Sequence, residues 1–391
     1  MKIVFWIALF IVFYTYIGYG ILLYIIIRLK RLFVGRPHEA VLPADEELPT
    51  MTLMICAYNE EDIVKEKMAN TLALDYPKDK FRIMWVTDGS NDHTNELLAA
   101  YPEVDIVFSP ERRGKTAALK HGLRELKTRY VAFTDANTMI NTGALREIAR
   151  LFSDPTVGCV SGEKRVAARK AGEMASEGEG LYWRYESTLK RWDNELYSAM
   201  GAAGELYAID PQLCREVPDE ALLDDFMLSM YVVQAGKRIA YTSDAYAREY
   251  GSANIYEESK RKRRIAAGGL QSIWWLRSML NPLRQPLVTF QYVSHRVLRW
   301  SITPVAMVLL LIVNIALVAR GAGTFYTVML ILQTLFYLMA LAGWLTNRFG
   351  YKNKLLYTAY YFVFMNFNVF RGMAYLRSHG KSGAWEKAKR S

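Results

Sequence analysis

The sequence predicts an α/β fold, a mostly parallel sheet sandwiched by helices, with transmembrane and interfacial α-helices on either side. Three observations predict it. No charged residue occurs from Ile3 to Ile27, short apolar runs alternate with amphipathic stretches between Pro49 and about Ala247, and two more long apolar spans lie near the C-terminal end. With 391 residues, 52% of them hydrophobic and 23% charged, the chain can bury a sizeable core and is too apolar for a disordered protein.

The first apolar run is long enough to cross a hydrocarbon core of about 30 Å at roughly 1.5 Å per helical residue. It ends in Arg28, Lys30, Arg31 and Arg36, not in a small-residue cleavage site, so it reads as an anchor in preference to a secretory signal. Basic residues just after a span mark the cytoplasmic side, which puts the N-terminus outside and the following domain in the cytoplasm. The spans Ile302 to Val318 and Phe325 to Leu345, joined by "ARGAG", read as a helical hairpin. The loop that follows carries Arg348, Lys352 and Lys354, consistent with a return to the cytoplasm. The segment Leu355 to Phe370 is shorter and contains Asn366 and Asn368. An interfacial or re-entrant course would keep the basic tail after it cytoplasmic.

In the middle of the chain "MTLMICAY", "RIMWVTDG", "VDIVFSP" and "YVAFTDAN" read as strands, and "KTAALKHGLREL" and "TGALREIARLF" as helices between them. Such alternation implies a mostly parallel sheet covered on both faces, which binds its ligands at the carboxyl ends of the strands. The polar clusters fall at those ends: Asn59 and Glu60 after the first strand, Asp88 after the second, Lys115 after the third, Asp135 and Asn137 after the fourth.

Several function classes are excluded or left open by the same residues. "SPERRGKT" at 109 to 116 nearly ends like a phosphate-binding P-loop, but Ser109 stands where that loop needs glycine and Pro110 removes an amide, which excludes an ATPase. No GxGxxG follows a strand. The three cysteines, Cys56, Cys159 and Cys214, form no CxxC pair and support neither a disulfide framework nor a thiolate metal site. Lys plus Arg exceed Asp plus Glu by 49 to 39, a balance that suits nucleic acid, an anionic membrane or a phosphorylated substrate. "KRKRR" at 260 to 264 carries the same three readings; the apolar stretch after it, with Trp274 and Trp275, favours a lipid surface or a pyrophosphate, and no nucleic-acid module is visible. "VTDGSND" at 86 to 92 taken alone is a tight turn and helix cap. "LLDDF" at 222 to 226 is either a helix N-terminal cap or a pair of carboxylates, one of which burial and like charge would push toward neutral pH, as a general base requires.

In order, "AYNE", "TDGSND", "RRGKTAAL", "TDAN", "GAAGELYAI", "LLDDF…AGKRIAY" and "KRKRRIAAGG" resemble the motif series of the family-2 inverting glycosyltransferases of GT-A fold, over residues 50 to about 275. The resemblance is to the membrane branch of cellulose, hyaluronan, chitin-oligosaccharide and poly-N-acetylglucosamine synthases. It implies that Ala57, Tyr58, Glu60 and Asp88 line the nucleotide pocket and that Lys115 approaches the nucleotide. Asp135 matches the family's DxD and would bind Mg or Mn on the donor diphosphate. Gly204 and Glu205 fall on the acceptor-side loop, and Asp225 matches the catalytic carboxylate, with Asp224 beside it where many relatives have Glu.

Two positions depart from the pattern. Asn137 stands in place of the second DxD carboxylate. The QxxRW of processive synthases aligns with Arg261 to Ile265, keeping Arg264 to meet the diphosphate but losing the aromatic platform, unless Trp274 or Trp275 supplies it on the acceptor side. The expected organisation is a transmembrane helix over 1–30, a cytosolic GT-A domain over 48–255, basic and amphipathic interfacial helices over 256–300, transmembrane or re-entrant helices over 301–376 and a basic tail over 377–391. The expected activity is transfer of a hexose or N-acetylhexosamine from a nucleotide sugar, a UDP-sugar above others, to a lipid-linked or growing saccharide, with no nucleic-acid partner. The alternatives are a processive synthase that also translocates its polymer, and a catalytically silent membrane subunit.

Overall fold

The computed structural model describes residues 1–35, 41–167, 174–250, 255–349, 351 and 353–379. Arg36, Lys352 and most of the basic tail lie outside the described residues.

Among the described residues the central sheet has eight strands, β1 (Met51–Ala57), β2 (Phe81–Asp88), β3 (Val104–Ser109), β4 (Tyr130–Asp135), β5 (Met139–Ile140), β6 (Val157–Ala167), β7 (Tyr207–Ile209) and β8 (Arg238–Tyr250). Their order is β3-β2-β1-β4-β7-β6-β8-β5. The first four pair in parallel, as the alternation of strands and helices predicts; β7 then enters antiparallel between β4 and β6, and β6 pairs with β8 in parallel. A strand buried on both faces needs apolar residues on both, and β1 shows why the run is continuous. Its Leu53, Ile55 and Ala57 enter one core with Trp85 and Val64, while Met54 enters the other with Val86 and Leu119.

Helices cover both faces: α2 (Val64–Leu72), α3 (Thr94–Ala99), α4 (Lys115–Arg124), α5 (Ala144–Phe152), α6 (Met174–Leu196) and α7 (Asp224–Gln234). Gly122 on α4 is required by close approach, since a Cβ there would lie 2.7 Å from Val86 Cγ2 and 2.8 Å from Met54 Cε.

The remaining helices are α1 (Lys2–Val34), α8 (Ile255–Trp275), α9 (Pro286–Tyr292, continued by a π turn at Val293–Val297 and a last turn at Leu298–Trp300), α10 (Ile302–Ala319), α11 (Thr324–Arg348) and α12 (Lys354–His379). Among the described residues, α1, α10 and α11 are long and apolar enough to cross a membrane, and they coincide with the three spans expected. They turn apolar side chains outward, Ile3 being 74% and Ile312 58% exposed, while Phe5, Ala8, Leu310 and Leu317 pack α1 against α10. The fourth apolar segment lies within one unbroken helix, α12, about 39 Å long at 1.5 Å per residue. It packs closely on α11, where a Cβ on Gly343 would meet Leu356 O at 2.1 Å.

The basic residues after the first span also bind the α/β domain. Arg31 holds both carboxylate oxygens of Glu195 at 2.6 Å, and Lys30 Nζ donates to Glu195 O at 2.6 Å and Leu196 O at 3.0 Å. Those carbonyls end α6, where a helix has unpaired acceptors and favours a cation.

Candidate active site

Parallel pairing sets the strand ends level. Cys56 lies opposite Asp135 and Asp88 opposite Ser109, so Ala57, Asp88 and Asp135 arrive at one edge of the sheet. Beyond β1 the chain turns at Asn59, whose φ of 52° is the left-handed conformation that asparagine tolerates. Its side chain is held by Asn91, donating to Asn91 Oδ1 at 2.7 Å and accepting from Asn91 N at 3.0 Å. Glu60 N donates to Thr94 Oγ1 at 2.9 Å. The "TDGSND" stretch therefore braces the "AYNE" turn as well as leading into α3.

Asp88 is buried, and both its oxygens accept backbone amides, Arg113 N at 2.9 Å and Gly114 N at 2.7 Å. It shapes the loop after β3. That loop lies so close that a Cβ on Gly89, whose φ is 67°, would fall 2.5 Å from Arg112 N. The same loop lays the Arg112 guanidinium 3.9 Å from the centroid of the Tyr58 ring. Ala57, Tyr58, Glu60 and Asp88 thus frame one end of the sheet edge.

At the other end, Lys115, the first residue of α4, places Nζ 2.6 Å from Asp135 Oδ1. Behind Asp135 the turn is anchored by Thr138, whose Oγ1 donates to Asp135 O at 2.9 Å, and by the buried Lys67, which donates to Thr138 O at 2.6 Å. Burial pulls the Lys67 amine down to about 7. Asn137 is half-buried in this turn. Among the described residues no group of three or more His, Cys, Asp and Glu side chains could hold a metal ion between them. What this edge could offer a cation is Asp135, with Asn137 two residues on. Such a set fits Mg2+, which keeps several waters and takes one or two protein carboxylates together with phosphate oxygens.

A cavity of about 330 Å³ opens from Lys115 and Asp135 inward, and Gly204, Glu205, Asp224, Asp225 and Arg264 line it. Asp224 and Asp225 are the first two residues of α7, and no side-chain hydrogen bond caps that helix. Burial, and then the Asp224 carboxylate beside it, push Asp225 up to about 6. Asp224 is 9% exposed, and among the described residues its buried Oδ2 has no hydrogen-bond partner. A Cβ on Gly204 would lie 3.0 Å from Asp225 Oδ2, so only glycine leaves that carboxylate its room. Glu205 is held in a buried ionic network, 2.6 Å from Lys164 Nζ and 3.2 Å from Arg261 Nη2, with Glu249 also on Lys164. These partners offset the effect of burial and hold its carboxyl far below the usual carboxylate range. Arg264 Nε is buried and has no hydrogen-bond partner among the described residues.

The expectation for Trp274 needs correction. Trp274 is 68% exposed, its ring beside Arg277, and it does not line the cavity; Trp275 packs against the core of the α/β domain instead. The indoles that line the cavity are Trp300 on α9 and Trp183 on α6, among other aromatic residues that include Tyr16 from α1. Trp300 lies across Gly269 of α8, where a Cβ would be 2.6 Å from its ring, one turn from Ile265. Helical phase explains the difference: on α8, residues 274 and 264 lie almost three turns apart and face different sides. Also unforeseen were Glu186, Lys190, Arg296 and Arg299, charged residues that line the inner part of the cavity. The available signal was "HRVLRW", three basic side chains directly before a membrane span.

Residues 52–209 match the family described as Glycosyl transferase family 2. The chain is 35% identical over 125 residues to a poly-beta-1,6-N-acetyl-D-glucosamine synthase of Staphylococcus aureus, covering 31% of this chain and 30% of that protein. It is 25% identical over 259 residues to a beta-monoglucosyldiacylglycerol synthase of Synechocystis, covering 62% of this chain and 53% of that one. The match thus spans from about a third to about half the length of these curated relatives. Among solved structures, the mannosyltransferase PcManGT from Pyrobaculum calidifontis, in complex with GDP-Man and Mn2+, superposes with a TM-score of 0.70. It has 21% identity and covers 96% of this chain and 99% of that one, a likeness of fold along nearly the whole length.

Proposed function

We propose that this chain, whose residues 52–209 match the Glycosyl transferase family 2, is a membrane-bound enzyme of cell-surface saccharide or glycolipid synthesis. It moves a hexose or N-acetylhexosamine from a nucleotide sugar, a UDP-sugar first among candidates, to a lipid-linked or growing saccharide with inversion. The observation that carries this reading is one cavity lined by Asp225, raised to about 6, together with the Lys115–Asp135 pair and Arg264. One group is poised to take a proton and the others to receive a diphosphate.

In the proposed reaction the acceptor hydroxyl attacks the anomeric carbon from the Asp225 side. Its oxygen forms the new glycosidic bond and its proton passes to Asp225, while the bond to the donor phosphate breaks and its electron pair leaves on the diphosphate. A carboxyl near 6 is ionised at neutral pH yet basic enough to help, which a surface aspartate is not. Arg264 and Lys115 supply positive charge where the diphosphate develops negative charge. A divalent cation held by Asp135, with Asn137 close by, would neutralise that same diphosphate when bound. Tyr58 under Arg112 offers a flat face for the nucleotide base.

The two curated relatives are named for building a polysaccharide and a glycolipid, which supports an acceptor of either kind. The test is a panel of UDP- and GDP-sugars scored for released nucleotide, using purified protein in detergent with Mg2+ or Mn2+. Release from at least one sugar, abolished by Asp225→Asn, is expected; full activity of the variant, or no release from any donor, would overturn the reading.

A further inference from the structure

The inner end of the cavity carries charge that the transfer reaction does not use. Lys190 on α6 lines it, is 3% exposed, and among the described residues its Nζ has no hydrogen-bond or ion-pair partner. Beside it, α9 brings Arg296 and Arg299 to a single carboxylate, Arg296 Nη2 lying 2.6 Å from Glu186 Oε1 and Arg299 Nη1 3.0 Å from Glu186 Oε2. The Glu186 carboxylate is thus already shared by two guanidiniums and by the His295 ring at 3.3 Å, and Lys190 lies in the same lining without a hydrogen bond to it. A buried cation without a counter-ion is costly and is normally paired or hydrogen-bonded. Burial, and then Arg296, pull the Lys190 amine down to about 8, while Glu186, Glu205 and Asp225 pull the other way. At neutral pH it is still mostly charged, and among the described residues no carboxylate lies within ion-pair distance of it.

Another part of the lining is of a different chemistry. Phe362, Met365 and Val369 of α12 line the same cavity, and Tyr16 of the first membrane helix joins them, its hydroxyl donating to Asn366 Oδ1 at 2.6 Å. One space therefore offers a catalytic carboxylate, a cationic pocket and an apolar wall built by membrane-associated helices. A water-soluble anion has no use for the wall, and a neutral lipid has no use for Lys190. An amphiphile with an anionic head uses both.

We propose that Lys190, with Arg296 and Arg299, binds the phosphoryl group of a lipid-linked acceptor whose chain leaves along Tyr16 and α12. This deepens the proposed function and rests on it, naming the acceptor class for the same cavity. The phosphoryl group gives Lys190 an anion within hydrogen-bond reach, with Arg296 and Arg299 beside it. It also fixes how far the acceptor enters, so that its reactive hydroxyl meets Asp225.

The test is equilibrium binding of farnesyl phosphate and of farnesol to the full-length protein in neutral detergent, without a nucleotide sugar. Farnesyl phosphate should bind at least about 10-fold tighter than farnesol, and Lys190→Met should remove most of that difference, because each charge-assisted hydrogen bond contributes roughly a factor of ten. Methionine is close to lysine in shape and removes a buried charge; if the variant nonetheless fails to fold, the wild-type comparison decides alone. Equal binding of phosphate and alcohol overturns the proposal, as does farnesyl phosphate binding to a folded Lys190→Met protein as to wild type. Inorganic phosphate or glucuronate displacing farnesyl phosphate at equal concentration would mean that the pocket takes a soluble anion, which also overturns it. The sugar-release panel above needs no isoprenoid, so failure there with phosphate discrimination intact faults the donor reading and not this site.

Discussion

Lys115 Nζ and Asp135 Oδ1 stand 2.6 Å apart, joining the start of the helix after β3 to the carboxyl end of β4 at the mouth of the cavity. The pair is partly solvent-exposed, with side-chain exposures of 41% and 30%, so its strength is that of a screened surface bridge. A lysine on the carboxylate expected to bind a cation competes with that cation until the diphosphate draws it away. For Lys115→Met, Mn2+ should bind the nucleotide-free protein about 2- to 5-fold tighter, the worth of such a bridge. Nucleotide affinity should fall about 10-fold, the worth of a charge-assisted contact to phosphate. Manganese EPR titration and nucleotide binding read the two changes separately, and unchanged nucleotide affinity would remove Lys115 from the donor site.

As the proposed base, Asp225 should make turnover pH-dependent. A base works ionised, and burial together with Asp224 raises its pKa to about 6. Turnover should therefore rise with pH through about 6 and level off above about 7, falling tenfold per unit on the acid side. Asp224→Asn removes the neighbouring charge and should shift the midpoint of this profile to lower pH. A profile flat between pH 5 and 8 would exclude Asp225 as the base.

Gly204 gives a second handle on the same carboxylate. Alanine there would put Cβ 3.0 Å from Asp225 Oδ2, a contact tighter than ordinary van der Waals distance. Gly204→Ala should lower kcat about 10- to 100-fold through misplacement of the base while leaving nucleotide affinity unchanged. Equal losses in both would show a wider collapse of the loop.

Glu205 is a stability residue by its contacts. Removing it leaves Arg261 and Lys164 short of a counter-ion in a buried place, where breaking an ion pair from one side costs about 3–5 kcal/mol. Glu205→Ala should lower the unfolding midpoint markedly, whereas Glu205→Gln, which keeps the hydrogen-bonding shape, should lower it less. Thermal unfolding of the detergent-solubilised protein gives the comparison.

Much of this protein was legible in its sequence. The spans at α1, α10 and α11 follow from uncharged length. The parallel strands β1 to β4 follow from apolar runs that end in turn chemistry, and with them came Asp88 and Asp135 at a common edge. The pair Asp224–Asp225 was visible as two adjacent carboxylates in an apolar setting. All of these are local: a few consecutive residues fix them through hydrophobic period, turn preference or charge.

What required the tertiary structure was every relation between distant segments. Asp88 turned out to hold the amides of Arg113 and Gly114, because β2 and β3 pair in register. Trp274 faces outward and Trp300 inward, because the phase of α8 and its packing against α9 decide which indole reaches the cavity. Arg296 and Arg299 meet Glu186, in the lining that also holds Lys190, only because α6 and α9, about a hundred residues apart in the chain, come together beside the membrane helices. A single charged residue in a sequence reads as a solvated one. Its burial without a partner belongs to the packing of the whole molecule.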